Sequence, residues 1–511
     1  MTTMAMMATC WQVTILAKLL TLGANKFAIM DPLGMGLEME AGKPGWNDAM
    51  NGLPALFGSE MPSAYELLMI LKFVGKAVDE IGRPVEMPEE VSKLLDAFGV
   101  QLAALKAGGK DFDYWDKVHD ALEEYRTSTD ATFTGEFVSW SAAKLGTASG
   151  LLGKMIARME QGATRALAWS QKGGRVVETG GVVPTYFKFT VTDYELTGLK
   201  SNRGLPTVKV GGFEPSVLPL FLEGPTRQLK TLSDPAEKLA VYEAVAASDI
   251  VDHELKMYKI SASLADMPIE TGRMKAFDSG WLENESIWLH MSYKYYLELL
   301  RAGLYAQFYE EIQTGVVSFM DPEVLGRSPL EAASFIVSSA FPDKTLHGSG
   351  FLARLSGSTA EFLSMWNHMM FGAAPFVLDA DEKLRLALTP VISSWLWKAD
   401  GTLTFTFLGA IEVTYKCARR GQTRTPPLPQ RHSAQPPPRA PPLAIYSRTP
   451  PTPLLTHRCA SKKNTWDAAV TSYVLKAADG SETTIDGPTV PEAVAKKVRS
   501  LYFTAITVTI E

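Results

Sequence analysis

Apolar residues recur at helical spacing through Ala64–Ile81 (AYELLMILKFVGKAVDEI), which predicts an amphipathic helix. Pro88-Glu89-Glu90 supplies a proline and two acids suited to the first turn of the next helix. Phe112–Tyr125 and Ala142–Trp169 continue the series. Near 180–225 the period changes: Thr185–Thr192 (TYFKFTVT) alternates, and glycines and prolines crowd together, predicting a strand-rich insertion. Helical spacing returns in Ala236–Ala247, Glu283–Ile312, Pro329–Ser339 and Thr359–Met370. After Pro375 alternation takes over again, in Lys383–Trp397, Thr402–Lys416, Thr465–Ile485 and Leu501–Ile510. The pattern predicts a mainly α chain: a toroid of helical hairpins over residues 1–374, with its site at one end, then a small β-sandwich over residues 375–511.

One stretch fits neither period. Residues 417–459 hold eleven prolines and seven arginines with no acidic residue. Such a segment cannot bury a core and is expected to be disordered. Pro-Pro-Leu-Pro at 426–429 resembles a ligand of proline-binding domains. The segment interrupts a β-domain instead of joining two domains, however, so a translated intron explains its composition better than a partner-binding tail.

Composition narrows the function classes. A formal net charge of −6 and a pI near 5.8 offer no basic field for nucleic acid. Cys10, Cys417 and Cys459 have neither metal-ligand spacing nor a disulfide framework, as suits a cytoplasmic protein. No apolar run approaches the roughly 20 residues of a membrane span, and residues 4–17 read as core. Aromatics make up 10% of the chain. Most belong to the core, but those on loops beside polar groups are also platforms for sugar rings.

Three stretches carry candidate chemistry. Gly42–Pro54 (GKPGWNDAMNGLP) is a loop built of glycines and prolines, and it presents Trp46, Asn47 and Asp48 together. A ring beside a carboxylate suits a pyranose; the plain alternative is a buried tryptophan beside a turn-forming Asn-Asp pair. Trp281–His290 is expected to open a long helix, whose two turns would set Glu283 and His290 on one face. Ser358 and Glu361 have capping-box spacing, which puts a helix start near Ser358 and Ser356-Gly357 just ahead of it, where an anion is favoured.

The order of these stretches resembles the inverting phosphorylases of glycoside hydrolase family 94, the cellobiose, chitobiose and related β-1,3-glucan enzymes. The resemblance runs from about residue 20 to 415 and resumes near 462. The family's D-W-N-D appears here as Gly45-Trp46-Asn47-Asp48, and its E-N-G-G-x-x-x-H as Glu283, Asn284, Glu285, Ser286 and His290, with both glycines replaced. Its T-G-T loop appears as Ser356-Gly357-Ser358. The resemblance implies Asp48 as general acid, Trp46, Asn47 and Glu283 as sugar-binding residues, and His290, Ser356 and Gly357 as phosphate ligands. It implies an (α/α)6-type barrel, here incomplete at its N-terminal side because family members carry a β-sandwich and early barrel helices before the loop. No metal or organic cofactor is expected. Inorganic phosphate would be the co-substrate and a β-linked glucose oligosaccharide the partner, with a homodimer left open.

The implied reaction converts a β-1,4- or β-1,3-linked glucoside and phosphate into α-glucose 1-phosphate. One loop acid suffices for it, because phosphate attacks without a base. Two rivals remain. An inverting hydrolase on an (α/α) barrel would need a second carboxylate as base, from Glu283, Glu38 or Glu40. A truncated, inactive sugar-binding fragment would bind oligosaccharide without turnover.

Overall fold

The computed structural model describes residues 12–41, 45, 47–171, 181–417 and 464–511. The chain divides into two compact units, Met1–Phe362 and Leu363–Glu511. Most of the apolar stretch 4–17, the loop residue Trp46, and residues 418–459 of the proline-rich insert lie outside the described residues. Of the remainder of the first stretch, Ala17 is buried whereas Val13 and Ile15 are exposed.

The first unit begins with a layer of helices. Met61–Ile81, Glu89–Lys106 and Asp111–Ala131 carry helices that the early periodicity predicts, the stretch Ala142–Trp169 divides into Ala142–Leu145 and Leu151–Gln171, and Ile15–Ala28 is a further helix before them. Met61–Ile81 starts with Pro62 in its first turn and stops at Gly82 in a left-handed cap. Its apolar stripe, including Leu67, Leu68, Leu71, Val74 and Val78, joins Leu20, Phe27, Leu94, Phe98 and Met155 in one core.

Beyond residue 180 the architecture departs from the mainly α expectation. The described residues are 45% helical and 22% strand, with 13 helices and six sheets, so the fold is mixed and not an (α/α)6-type barrel followed by a sandwich. Tyr186–Lys200 and Pro206–Val217 form a long antiparallel hairpin, which continues a sheet with Ser59–Glu60 and Leu37–Glu38. Pro329–Ser339 is not a helix: Phe335–Ile336 is a short strand between Ile287–Trp288 and Gly350–Phe351. The apolar positions there match helical spacing, but Ala332 sits at a left-handed φ of 51°, which no helix interior tolerates.

In place of a sandwich the second unit holds a five-stranded sheet and a two-stranded one, Phe376–Leu378 with Leu384–Leu386. The order of the five-stranded sheet is Thr402–Phe407, Ile411–Cys417, Phe503–Ile510, Val470–Ala477, Glu482–Asp486. The strands on either side of the insert therefore flank the same strand: Cys417 and Val470 both face Ile510. Alternation buries Phe405, Val413, Tyr415, Tyr473, Leu475, Ile506 and Val508 with Val490 and with Ala495 and Val498 of the Glu492–Arg499 helix. Alternation dictates one buried face but not what covers it, and here the Glu492–Arg499 helix belongs to the covering core.

Candidate active site

The loop that carries Asp48 is pinned from below. Ala49 and Met50 are fully buried in a cluster with Leu53, Tyr186, Leu218, Phe221 and Met274. Gly52 donates to the Thr271 carbonyl (3.2 Å), and a β-carbon at Gly52 would lie 1.8 Å from the Glu270 carbonyl oxygen, so only glycine allows this approach. Asn51 Oδ1 accepts from the Arg273 amide at 3.1 Å. Asp48 thus opens a short 3-10 turn, Asp48–Met50, capped by Asn47, whose Oδ1 accepts from the Ala49 amide at 3.2 Å. Asn47 is buried, and its Nδ2 has no hydrogen-bond partner among the described residues.

Asp48 itself points outward, with its side chain 61% exposed. Its Oδ1 accepts from Arg273 Nη2 at 2.8 Å, and the same nitrogen lies 3.5 Å from Glu283 Oε1. Two acids expected from the sequence are therefore joined by an arginine that the sequence reading missed. Nothing in the spacing of Arg273 singles it out; only the contact of residues 269–276 with the loop brings it in.

Glu283 and His290 do not share a helix face. The helix begins only at Leu289 and runs to Arg301, while Trp281–Ser286 forms a turn with Leu282 at φ 47° and Glu285 at φ 56°. Glu285 stands where the resemblance has a glycine, and its left-handed backbone is held by a salt bridge to Lys259 (3.1 Å) and by its amide donating to Ser261 Oγ (3.3 Å). The Trp281 ring packs on Phe335 and Phe351, tying this turn to the three-stranded sheet from which His290 emerges.

His290 lies directly over Gly357. The helix there starts at Ser356, so Ser356 and Gly357 are its first two residues and do not precede it. The capping box is not formed as expected either. Ser358 Oγ donates to the Leu355 carbonyl (2.8 Å), and Glu361 turns to His290 Nε2 (3.8 Å) and Lys294 Nζ (3.7 Å). The hydrogen bond from His290, and after it the charge of Lys294, hold the Glu361 carboxyl below its ordinary range.

Behind this group runs a set of buried charges that the sequence did not reveal. Burial and the neighbouring charge of Glu60 push Glu223 up to about 7, against the opposing charges of Arg227 and Lys294. Burial also raises Glu60, and burial together with Arg227 lowers Lys294. Glu60 reaches back to the loop, since a β-carbon at Gly45 would lie 2.8 Å from its Oε2. Glu60 and Glu223 thereby link the Asp48 loop to Lys294, Glu361 and His290.

On the other side of Gly45 a cavity of about 240 Å3 is lined by Lys26, Leu37, Glu38, Glu40, Gly45, Glu60 and Ser63. Glu38 accepts from Trp115 Nε1 (2.6 Å) and pairs with His119 Nε2 (2.9 Å); Glu40 pairs with Arg126. Burial would lower His119, but Glu38 and the Trp115 carbonyl outweigh it and raise the imidazole above its ordinary value. Among the described residues no group of three or more His, Cys, Asp or Glu could hold a metal ion, and no helix is long and apolar enough to cross a membrane. No protein-family model matches this chain, and no curated protein matches it.

Proposed function

We propose that this chain cleaves a β-linked glucoside by inverting phosphorolysis. Asp48, exposed at the tip of a pinned loop, donates a proton to the glycosidic oxygen. His290, Ser356 and Gly357 hold the attacking phosphate. The observation that carries this reading is the seat of His290 over the first turn of a 16-residue helix, beside Lys294. Free backbone N–H groups, the positive end of the helix dipole and an imidazole suit a tetrahedral dianion. Asp48 must shed Arg273 to act as an acid, because its Oδ1 is taken up accepting from the guanidinium. A sugar hydroxyl accepting the arginine would release it.

The hydrolytic rival is less well supported. Glu283 offers Oε1 to Arg273, and its Oε2 is buried without a hydrogen-bond partner among the described residues; Glu38 is held by Trp115 and His119, and Glu40 by Arg126. Each of these three carboxylates already accepts from a neighbouring side chain. The test is incubation with β-1,3- and β-1,4-linked gluco-oligosaccharides, with and without phosphate. Phosphate-dependent release of α-glucose 1-phosphate is the expected result. Free glucose in phosphate-free buffer would establish hydrolysis instead, and sugar binding without any product would leave only a binding fragment.

A further inference from the structure

We propose that the cavity bounded by Lys26, Glu38, Glu40, Gly45, Glu60 and Ser63 is a binding pocket for one neutral hexose ring, with Glu38 and Glu60 accepting hydrogen bonds from its hydroxyls. The argument starts from the charge of the walls. Each carboxylate already has a basic neighbour, Glu38 in His119, Glu40 in Arg126 and Glu60 in Lys26, so the walls are near charge balance and favour neither an anion nor a cation. What remains favoured is an uncharged molecule rich in O–H donors, since ionised carboxylates only accept. A volume of about 240 Å3 lies just below the range of drug-sized pockets, roughly 300–1,000 Å3, and suits a single sugar ring.

Two further observations point to a ligand. Glu60 is 93% buried, its exposure being 7%, yet only its Oε1 is hydrogen-bonded, to Ser63; its Oε2 faces Gly45 with no hydrogen-bond partner among the described residues. Directly behind it, Glu223 Oε2 and the Tyr186 hydroxyl are buried and without hydrogen-bond partners among the described residues, and the charges of Glu60 and Glu223 both act on Tyr186. Neither of these two lines the cavity, so Glu60 Oε2 is the atom a ligand there would meet, and leaving a nine-tenths buried carboxylate half-bonded is costly. Glu38 is prepared differently. Trp115 and His119 each bind one of its oxygens, which fixes the carboxylate and leaves a lone pair on each oxygen for hydroxyls. Glu38 is thereby a specificity-determining acceptor, and Trp115 and His119 are its positioning residues.

The choice of a hexose rests on the carbohydrate reading above, and the experiment separates the two. Binding of D-glucose to the full chain is titrated in phosphate-free buffer by tryptophan fluorescence and calorimetry, with glucosamine as the cationic probe and glucuronate as the anionic one. Glucose should bind more tightly than either. Glu38→Gln and Glu60→Gln should each weaken it about tenfold or more, the loss expected for one charge-assisted hydrogen bond. Ser63→Ala, which leaves the buried carboxylate in place, serves if Glu60→Gln does not fold, and should weaken binding by a smaller factor. A wild-type chain that binds no glucose, glucosamine binding tighter than glucose, or pocket variants binding as wild type would each overturn the pocket. Glucose binding that depends on Glu38, in a chain that makes no glucose 1-phosphate, would uphold the pocket and end the phosphorolysis reading instead.

Discussion

The imidazole of His290 occupies the space that a side chain at Gly357 would need. A β-carbon there would lie 2.2 Å from Cε1 and 2.5 Å from each ring nitrogen. Neither residue is set by its own local structure: one is the second residue of its helix, the other the second of a different helix. Their contact joins an imidazole to the free N–H groups of a helix start.

Gly357→Ala follows from this contact. Alanine is intrinsically better than glycine in a helix by about 1 kcal/mol, so melting should show little loss of stability. The ring, however, has to move. Steady-state kinetics should show the phosphate KM rising about tenfold or more while the sugar KM stays near wild type. Equal effects on both, or on neither, would remove the contact from phosphate binding.

Asp48→Asn should reduce phosphorolysis by about 10²–10⁴-fold, because the amide keeps the shape and cannot donate the proton. Stability should change by less than about 1 kcal/mol, since the pair with Arg273 is exposed on both sides. Near-normal turnover of the variant would exclude Asp48 as the acid.

Glu285→Ala should cost about 3–5 kcal/mol, because Lys259 would be left buried without its counter-charge. Glu285→Gly should be milder by about 1–2 kcal/mol, since glycine relieves the left-handed backbone at φ 56°. Denaturant midpoints of the two variants decide it; an equal or greater loss for glycine would mean that the backbone there is not strained.

Glu223 makes stability depend on pH. Its folded value of about 7 lies above the ordinary 4.5, so the folded state holds the proton more tightly than the unfolded chain. That contribution is complete below about 4.5 and is lost as pH rises through about 7, to the extent of roughly 3 kcal/mol. Glu60 is raised as well and acts in the same direction, whereas Arg227 and Lys294 pull Glu223 the other way. Glu223→Gln should therefore gain on wild type between pH 5 and pH 8 in urea unfolding. A constant difference across that range would show that Glu223 does not titrate there.

Replacing residues 418–460 with a short Gly-Ser linker should leave the melting midpoint of the chain within a few degrees of wild type. Cys417 and Val470 both face Ile510 from opposite sides, so the chain on the two sides of the replaced stretch is held by one strand, about two strand spacings (roughly 10 Å) apart. Closure entropy changes only slowly with loop length. A drop of more than several degrees would mean that the replaced segment stabilises the sheet.

Periodicity by itself determined most of the early helices and the strands of the five-stranded sheet, because a long stripe or alternation of apolar residues is buried by one local backbone; over Lys383–Trp397, where the alternation is weaker, only Leu384–Leu386 is a strand. Met61–Ile81 and the strand pair Thr402–Phe407 and Ile411–Cys417 were legible in this way. The residue types in the loop around Asp48 likewise announced an irregular, pinned backbone, and Asn47 caps it as an Asn-Asp turn would. Tertiary structure alone decided the rest. Leu282 and Glu285 took left-handed backbones that the apolar spacing did not anticipate, so the helix started at Leu289 and Glu283 parted from His290. The alternation after residue 400 could not say whether a second sheet or a helix would cover its buried face. Arg273, Lys294, Glu223 and Glu60 reached the candidate site from elements far apart in the chain, and charge neighbours of that kind leave no spacing to read. Their effects depend on burial and distance, which exist only once the chain has folded.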